Sequence, residues 1–158
     1  MNTIGPYAIS EAVRIPDVKK PLYHATGMAA IEIVARGGGI KTGGESKFGA
    51  GGAGGNADGV SMTTSFEVAI SGSFGHTVLV LDANEISKKF KIVDRDYWGD
   101  DSEKEKRVIA KHIPIKYIKG MIVKKASGLQ YKEYKRWKEK FPHITFYDYK
   151  SGKLEVIA

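Results

Sequence analysis

Eleven of the chain's 19 glycines fall between Gly37 and Gly59, in the run GGGIKTGGESKFGAGGAGGNADG. Glycine gives up more backbone entropy on ordering than any other residue, so a segment this rich in it is not expected to form an ordered core element. It separates a short first part of the chain from a longer second part, and any core must be assembled across it. A glycine-rich run invites a phosphate-cradle reading, but GxxxxGK[ST] is missing and no strand leads through it directly into a helix. A long structureless loop in a compact domain is either functional or disordered, which leaves two readings here, a lid and plain disorder.

The whole chain, 158 residues and 42% hydrophobic, is of single-domain size and can bury a core without staples. It contains no cysteine. That excludes disulfide scaffolds, Cys-ligated zinc, iron–sulfur clusters and cysteine nucleophiles, and favours a reducing compartment. No apolar run approaches the roughly 18 residues a membrane span needs, and the amino terminus lacks the basic-then-apolar layout of a secretory signal. The expectation is a soluble cytoplasmic protein, in the host cytoplasm if phage-encoded.

The formal net charge of +7 is uneven: residues 1–102 hold 10 Lys/Arg and 12 Asp/Glu, whereas residues 103–158 hold 15 and 6. The final third alone is therefore net +9. Such a cluster suits a polyanion, because lysine and arginine displace counterions from phosphates. A solvated, solubilising surface is the alternative reading.

Residues 1–20 read as a lead-in with one short helix. Pro21 to Gly27 reads as a short strand, Met28 to about Arg36 as a helix, Gly59 to Ser65 as a β-prone run and Phe66 to Ile70 as one or two helical turns. His76 to Asp82 and Phe90 to Val93 are expected strands, followed by an aromatic and acidic loop containing Tyr97 and Trp98. A strand is expected from Tyr117 to Val123, and a helix from Leu129 to Phe141 capped by Ser127, with Leu129, Tyr134, Trp137 and Phe141 on one face. Ile144 to Tyr149 and Leu154 to Ile157 form a hairpin turned by Lys150 to Lys153. Short strands with few helices and no regular βαβ alternation argue for an α+β fold.

Four histidines are present. His112 and His143 stand near prolines at element boundaries and read as surface residues, and His76 starts a strand. His24 sits in mid-strand among small neighbours, where a packed ring and an exposed functional ring are both open. No histidine pair has metal-ligand spacing, so no metal site is expected. Glu103 and Glu105, two apart at the entrance to a strand, point to one face of a sheet, where paired carboxylates shift each other's proton affinity and suit a site that stabilises positive charge. A solvated Glu-Lys-Glu-Lys run with local charge compensation is the other reading, and composition alone favours it. Tyr97 and Trp98 read either as a stacking platform or as a core plug.

Three of these segments together resemble the ADP-ribosyltransferase-fold family, which includes DNA-targeting toxins. Leu22-Tyr23-His24-Ala25-Thr26-Gly27 resembles its first core strand, Val60-Ser61-Met62-Thr63-Thr64-Ser65 its Ser-Thr-Ser strand, and Glu103-Lys104-Glu105 before Val108-Ile109 the Glu-x-Glu element that opens the strand of the catalytic glutamate. The order Val78 to Asp82, Asp96-Tyr97-Trp98, Glu103 to Val108 and Ile113-Pro114 to Gly120 also resembles a group of uncharacterised phage and bacterial members. The resemblance covers about residues 21–123.

It implies a split, mostly antiparallel sheet with flanking helices, NAD as substrate, and transfer of ADP-ribose to a nucleic acid or a host protein. By resemblance Glu105 stabilises the ribosyl oxocarbenium and Glu103 addresses the acceptor. His24 binds the adenosine-side ribose, the backbone of Ala25, with Thr26 beside it, holds the nicotinamide amide, and Ser61 or Thr63 supports Glu105. The glycine-rich segment becomes a lid. Ala25 stands where the family has glycine, and only Tyr97 and Phe48 offer themselves for its mid-domain tyrosine. An RNA 2′-phosphotransferase shares the fold but relies on several arginines, where residues 1–102 offer Arg14, Arg36 and Arg95. A non-catalytic binder that grips its partner through the basic face is the third reading.

Overall fold

A computed structural model describes residues 15, 18–26, 38–41, 59–71, 77–94, 105–124 and 128–157. The strands are β1 Pro21–Thr26, β2 Gly39–Lys41, β3 Val60–Thr63, β4 Thr77–Asp82, β5 Lys91–Asp94, β6 Glu105–Ile109, β7 His112–Pro114, β8 Ile118–Lys124, β9 Thr145–Lys150 and β10 Lys153–Val156. The helices are α1 Phe66–Ser71, α2 Ala83–Ile86 and α3 Gly128–Lys140, with a 3-10 turn over Ile115–Tyr117. Eight strands form one sheet in the order β10-β9-β8-β4-β1-β3-β6-β5, and β2 pairs with β7 in a second, two-stranded ladder. The result is the expected α+β class.

All neighbours in the large sheet are antiparallel except β8 and β9, which α3 joins in parallel. The sheet contains a seam. β1 runs against β4 over six residue pairs from Pro21↔Asp82 to Thr26↔Thr77, and β3 runs against β6 over four from Val60↔Val108 to Thr63↔Glu105. Between β1 and β3 the single ladder pair is Tyr23↔Thr63. The sheet is thus two halves, β10-β9-β8-β4-β1 and β3-β6-β5, with one ladder pair between them.

Strand alternation sends side chains to two cores. Leu22, Val60, Met62, Leu79, Leu81, Val108, Met121 and Val123 face one side, where Ile86 of α2, Tyr134 of α3, Ile40 of β2 and Ile113 of β7 complete the packing. Tyr23, Val78, Val80, Ile122 and Tyr147 face the other, under Phe66, Ala69 and Ile70 of α1 and Ile15 from the lead-in. Gly120 makes room for Ile15, whose Cδ1 would lie 2.3 Å from a Cβ there. The lead-in therefore contributes to the core.

The glycine-rich segment departs from expectation at its start. Gly39–Lys41 is drawn into the ladder with β7, and Ile40 is buried in the larger core. A Cβ at Gly39 would lie 1.9 Å from the Ile113 carbonyl oxygen, so the residue that read as loop material is the one that admits a close backbone approach. Residues 42–58 lie outside the described residues, as do the expected helix from Met28 to Arg36, His76, Phe48, Tyr97, Trp98, Glu103 and Ser127.

The hairpin turn is tighter than the four residues expected. Lys150 pairs with Lys153, and Ser151 and Gly152 both take positive φ, 53° and 77°, the backbone of a two-residue type I′ turn.

Candidate active site

The seam places three strands' residues together. Past Tyr23 the β1–β3 ladder stops, so the carbonyl of Ser61 is not taken by the backbone of β1. It accepts instead from the imidazole of His24, with Nδ1 2.8 Å from the oxygen. A carbonyl only accepts, so Nδ1 carries the hydrogen. Burial lowers the His24 pKa from its ordinary value, and the hydrogen bond to Ser61 partly opposes that. The ring is accordingly the neutral Nδ1–H tautomer, with the lone pair on Nε2. Nε2 has no partner among the described residues.

The other end of Ser61 reaches the carboxylate. Its Oγ donates to Oε2 of Glu105 at 2.6 Å. Ser61 stands opposite Arg107 in the ladder and Thr63 opposite Glu105, so these four residues share one face of β3 and β6. The Glu105 side chain is 7% exposed. Arg107, which sequence reasoning gave no role, is 2% exposed and lies 3.4 Å from the same Oε2 through Nη2, while Nη1 donates to the Gly59 carbonyl at 3.2 Å. The signal that points to it is the spacing Glu105-x-Arg107, which puts opposite charges on one strand face.

The remaining expected site residues are placed as follows. Thr63 accepts through Oγ1 from the Ser65 amide at 3.0 Å, forming the turn that leads into α1. Ala25 and Thr26 are part-buried at the end of β1, opposite Val78 and Thr77. His24, in register with Leu79, lies by alternation on the Leu22 side of the sheet, so it and Glu105 approach Ser61 from opposite faces. Ser61 is the link, through its backbone to the imidazole and through its side chain to the carboxylate. Glu103 falls outside the described residues.

An open groove of about 570 Å³ is lined by Lys19, Lys20, Pro21, Leu22, Thr64, Ala83, Ile92, Asp94 and Lys106. Lys106 and Asp94 form an ion pair there. The groove lies on the Leu22 side, away from the carboxylate of Glu105. Among the described residues no group of three His, Asp or Glu is placed to hold a metal ion, and no helix is long and apolar enough to cross a membrane.

No family model matches the chain, and no curated protein matches it in sequence. Among solved structures it is similar to DarT of Thermus sp. 2.9 in complex with ADP-ribosylated ssDNA, with a TM-score of 0.54 and 16% identity over 83% of this chain and 94% of that one. At that identity the likeness is one of fold.

Proposed function

We propose that the chain is an NAD⁺-dependent ADP-ribosyltransferase whose acceptor is a nucleic acid, with Glu105 as the catalytic carboxylate. The observation that carries this reading is the continuous link His24–Ser61–Glu105 at the seam where the β1–β3 ladder is reduced to a single pair. The fold shared with the DarT structure, which holds ADP-ribosylated ssDNA, supports it, and so does the excess of lysine and arginine in residues 103–158.

The chemistry follows from the groups present. In NAD⁺ the bond between the ribose anomeric carbon and the nicotinamide nitrogen breaks, and its electron pair leaves with neutral nicotinamide. Positive charge grows on the ribose, and a carboxylate held beside it lowers the barrier because it meets charge that the ground state lacks. Oε2 of Glu105 is occupied by Ser61, and Oε1 has no partner among the described residues. That oxygen accepts a ribose hydroxyl and then the proton that the attacking group of the acceptor releases as the new bond to the anomeric carbon forms.

In this reading the other site residues take the dinucleotide's remaining groups. Nε2 of neutral His24 accepts from a hydroxyl of the adenosine-side ribose. A carboxamide offers a donor and an acceptor side by side, as does strand backbone; Ala25, paired with Val78 on one side and with no ladder partner towards β3, is the residue assigned to the nicotinamide amide. Thr63 and Thr26 shape the two strand ends around it, and Glu103 addresses the acceptor.

Nicotinamide release measured with NAD⁺ and a nucleic-acid acceptor tests the reading. Glu105→Gln retains the fold and the hydrogen bond from Ser61 but removes the charge, and is expected to lower turnover at least 100-fold. Full turnover in that variant would remove Glu105 from the mechanism. No turnover in the parent protein, together with no NAD⁺ binding by calorimetry, would leave a non-catalytic binder.

A further inference from the structure

Arg107 is a buried arginine, the largest of the fully buried side chains, on the Glu105 face of β6. Burying a guanidinium costs several kcal/mol unless acceptors meet it, so arginine is rare in such places. A Val or Ile would fill a strand interior with no such cost. Two acceptors of the Arg107 fork belong to the site's own walls: Glu105 Oε2 and the carbonyl of Gly59, the residue that leads into β3.

Gly59 completes the arrangement. A Cβ on it would lie 2.7 Å from Arg107 Cγ and 2.6 Å from the Val108 carbonyl oxygen, distances that side chains do not tolerate. The bare backbone at residue 59 lets the arginine stem lie across the start of β3, so that the planar fork spans from β3 to β6. Lysine, a point charge on a flexible stem, cannot hold both acceptors.

We infer that Arg107, seated on Gly59, is a positioning residue: with Ser61 it fixes Oε2 of Glu105 and thereby leaves Oε1 as the oxygen presented to the reacting ribose. Ser61 approaches at 2.6 Å and Arg107 at 3.4 Å, both on the one oxygen. Two donors on one carboxylate oxygen set the side-chain rotamer, and displacement of a reacting group by about 1 Å costs on the order of 100-fold in rate. The inference rests on the reading of Glu105 as catalytic, and its tests separate the two.

Arg107→Lys, checked for folding by circular dichroism and melting temperature, is expected to lower kcat for nicotinamide release about 10- to 100-fold with KM for NAD⁺ changed less than about threefold. A folded Arg107→Lys protein with parental kcat overturns the inference, and so does a loss that lies wholly in KM. The second test leaves Arg107 in place. In ¹⁵N-labelled protein its side-chain Nε–H resonance is expected to shift in Glu105→Gln, and an unchanged resonance overturns the inference whether or not Arg107→Lys folds. An active Glu105→Gln protein would defeat the catalytic reading and this inference with it. An inactive one alongside parental kcat in Arg107→Lys would defeat this inference alone.

Discussion

At the residue scale the site is a set of hydrogen bonds whose directions are forced. The Ser61 carbonyl can only accept, so His24 must donate through Nδ1, and burial lowers the imidazole pKa from its ordinary 6.5. The ring is then neutral at neutral pH and its Nε2 is an acceptor. Acid reverses this, because a protonated Nε2 donates. KM for NAD⁺ is therefore expected to rise as pH falls through that lowered pKa, while His24→Gln, with no titrating ring, loses affinity at neutral pH and shows a flat KM over the same range. A parental KM that follows the same flat course as that of His24→Gln down to the onset of acid unfolding would contradict this role. Stability follows the same sign. The unfolded chain takes up the proton at higher pH than the folded one, so the folded state loses stability as pH drops from about 6.5 towards the lowered pKa.

At the element scale two buried glycines do different work, and mutation separates them. A Cβ at Gly39 meets the Ile113 backbone at 1.9 Å, whereas at Gly120 it meets Cδ1 of Ile15, the movable tip of a side chain, at 2.3 Å. Gly39→Ala is expected to cost about 3 kcal/mol and Gly120→Ala about 1 kcal/mol in urea unfolding. Equal costs would show that the β2–β7 approach yields as readily as a side chain. The same two elements mark what the sequence could and could not disclose. β1, β3, β4, β5, β8 and the β9–β10 hairpin were legible because their patterning is local. The β2–β7 ladder joins residues more than seventy positions apart inside a glycine run, and nothing local announces such a pairing. Ser61 and Glu105 were legible as residue types in a recurring order. Arg107 was missed despite its spacing from Glu105, because within Lys104-Glu105-Lys106-Arg107 a basic residue reads as solvated, and its place opposite Ser61 and its burial emerge only in the fold.

At the scale of the whole molecule, charge and seam divide the labour. The seam joins two half-sheets through one ladder pair, and in the proposed reading its strand edges and the Glu105 carboxylate receive the dinucleotide. Much of the basic surplus lies elsewhere: Lys132, Lys135, Arg136 and Lys140 are exposed on α3, and Lys150 and Lys153 on the hairpin. If these residues hold a nucleic-acid acceptor, its affinity falls steeply between low and moderate salt as counterion release loses its advantage. Titration of a labelled oligonucleotide at several salt concentrations measures the slope, and a flat response would assign the surplus to solubility. The central claim, that this seam transfers ADP-ribose from NAD⁺ to a nucleic acid by means of Glu105, is met most directly by mass spectrometry of an oligonucleotide panel incubated with NAD⁺ and protein. The account predicts that at least one oligonucleotide gains the mass of one ADP-ribose with the parental chain and none does with Glu105→Gln; equal modification by both, or modification by neither, would contradict it.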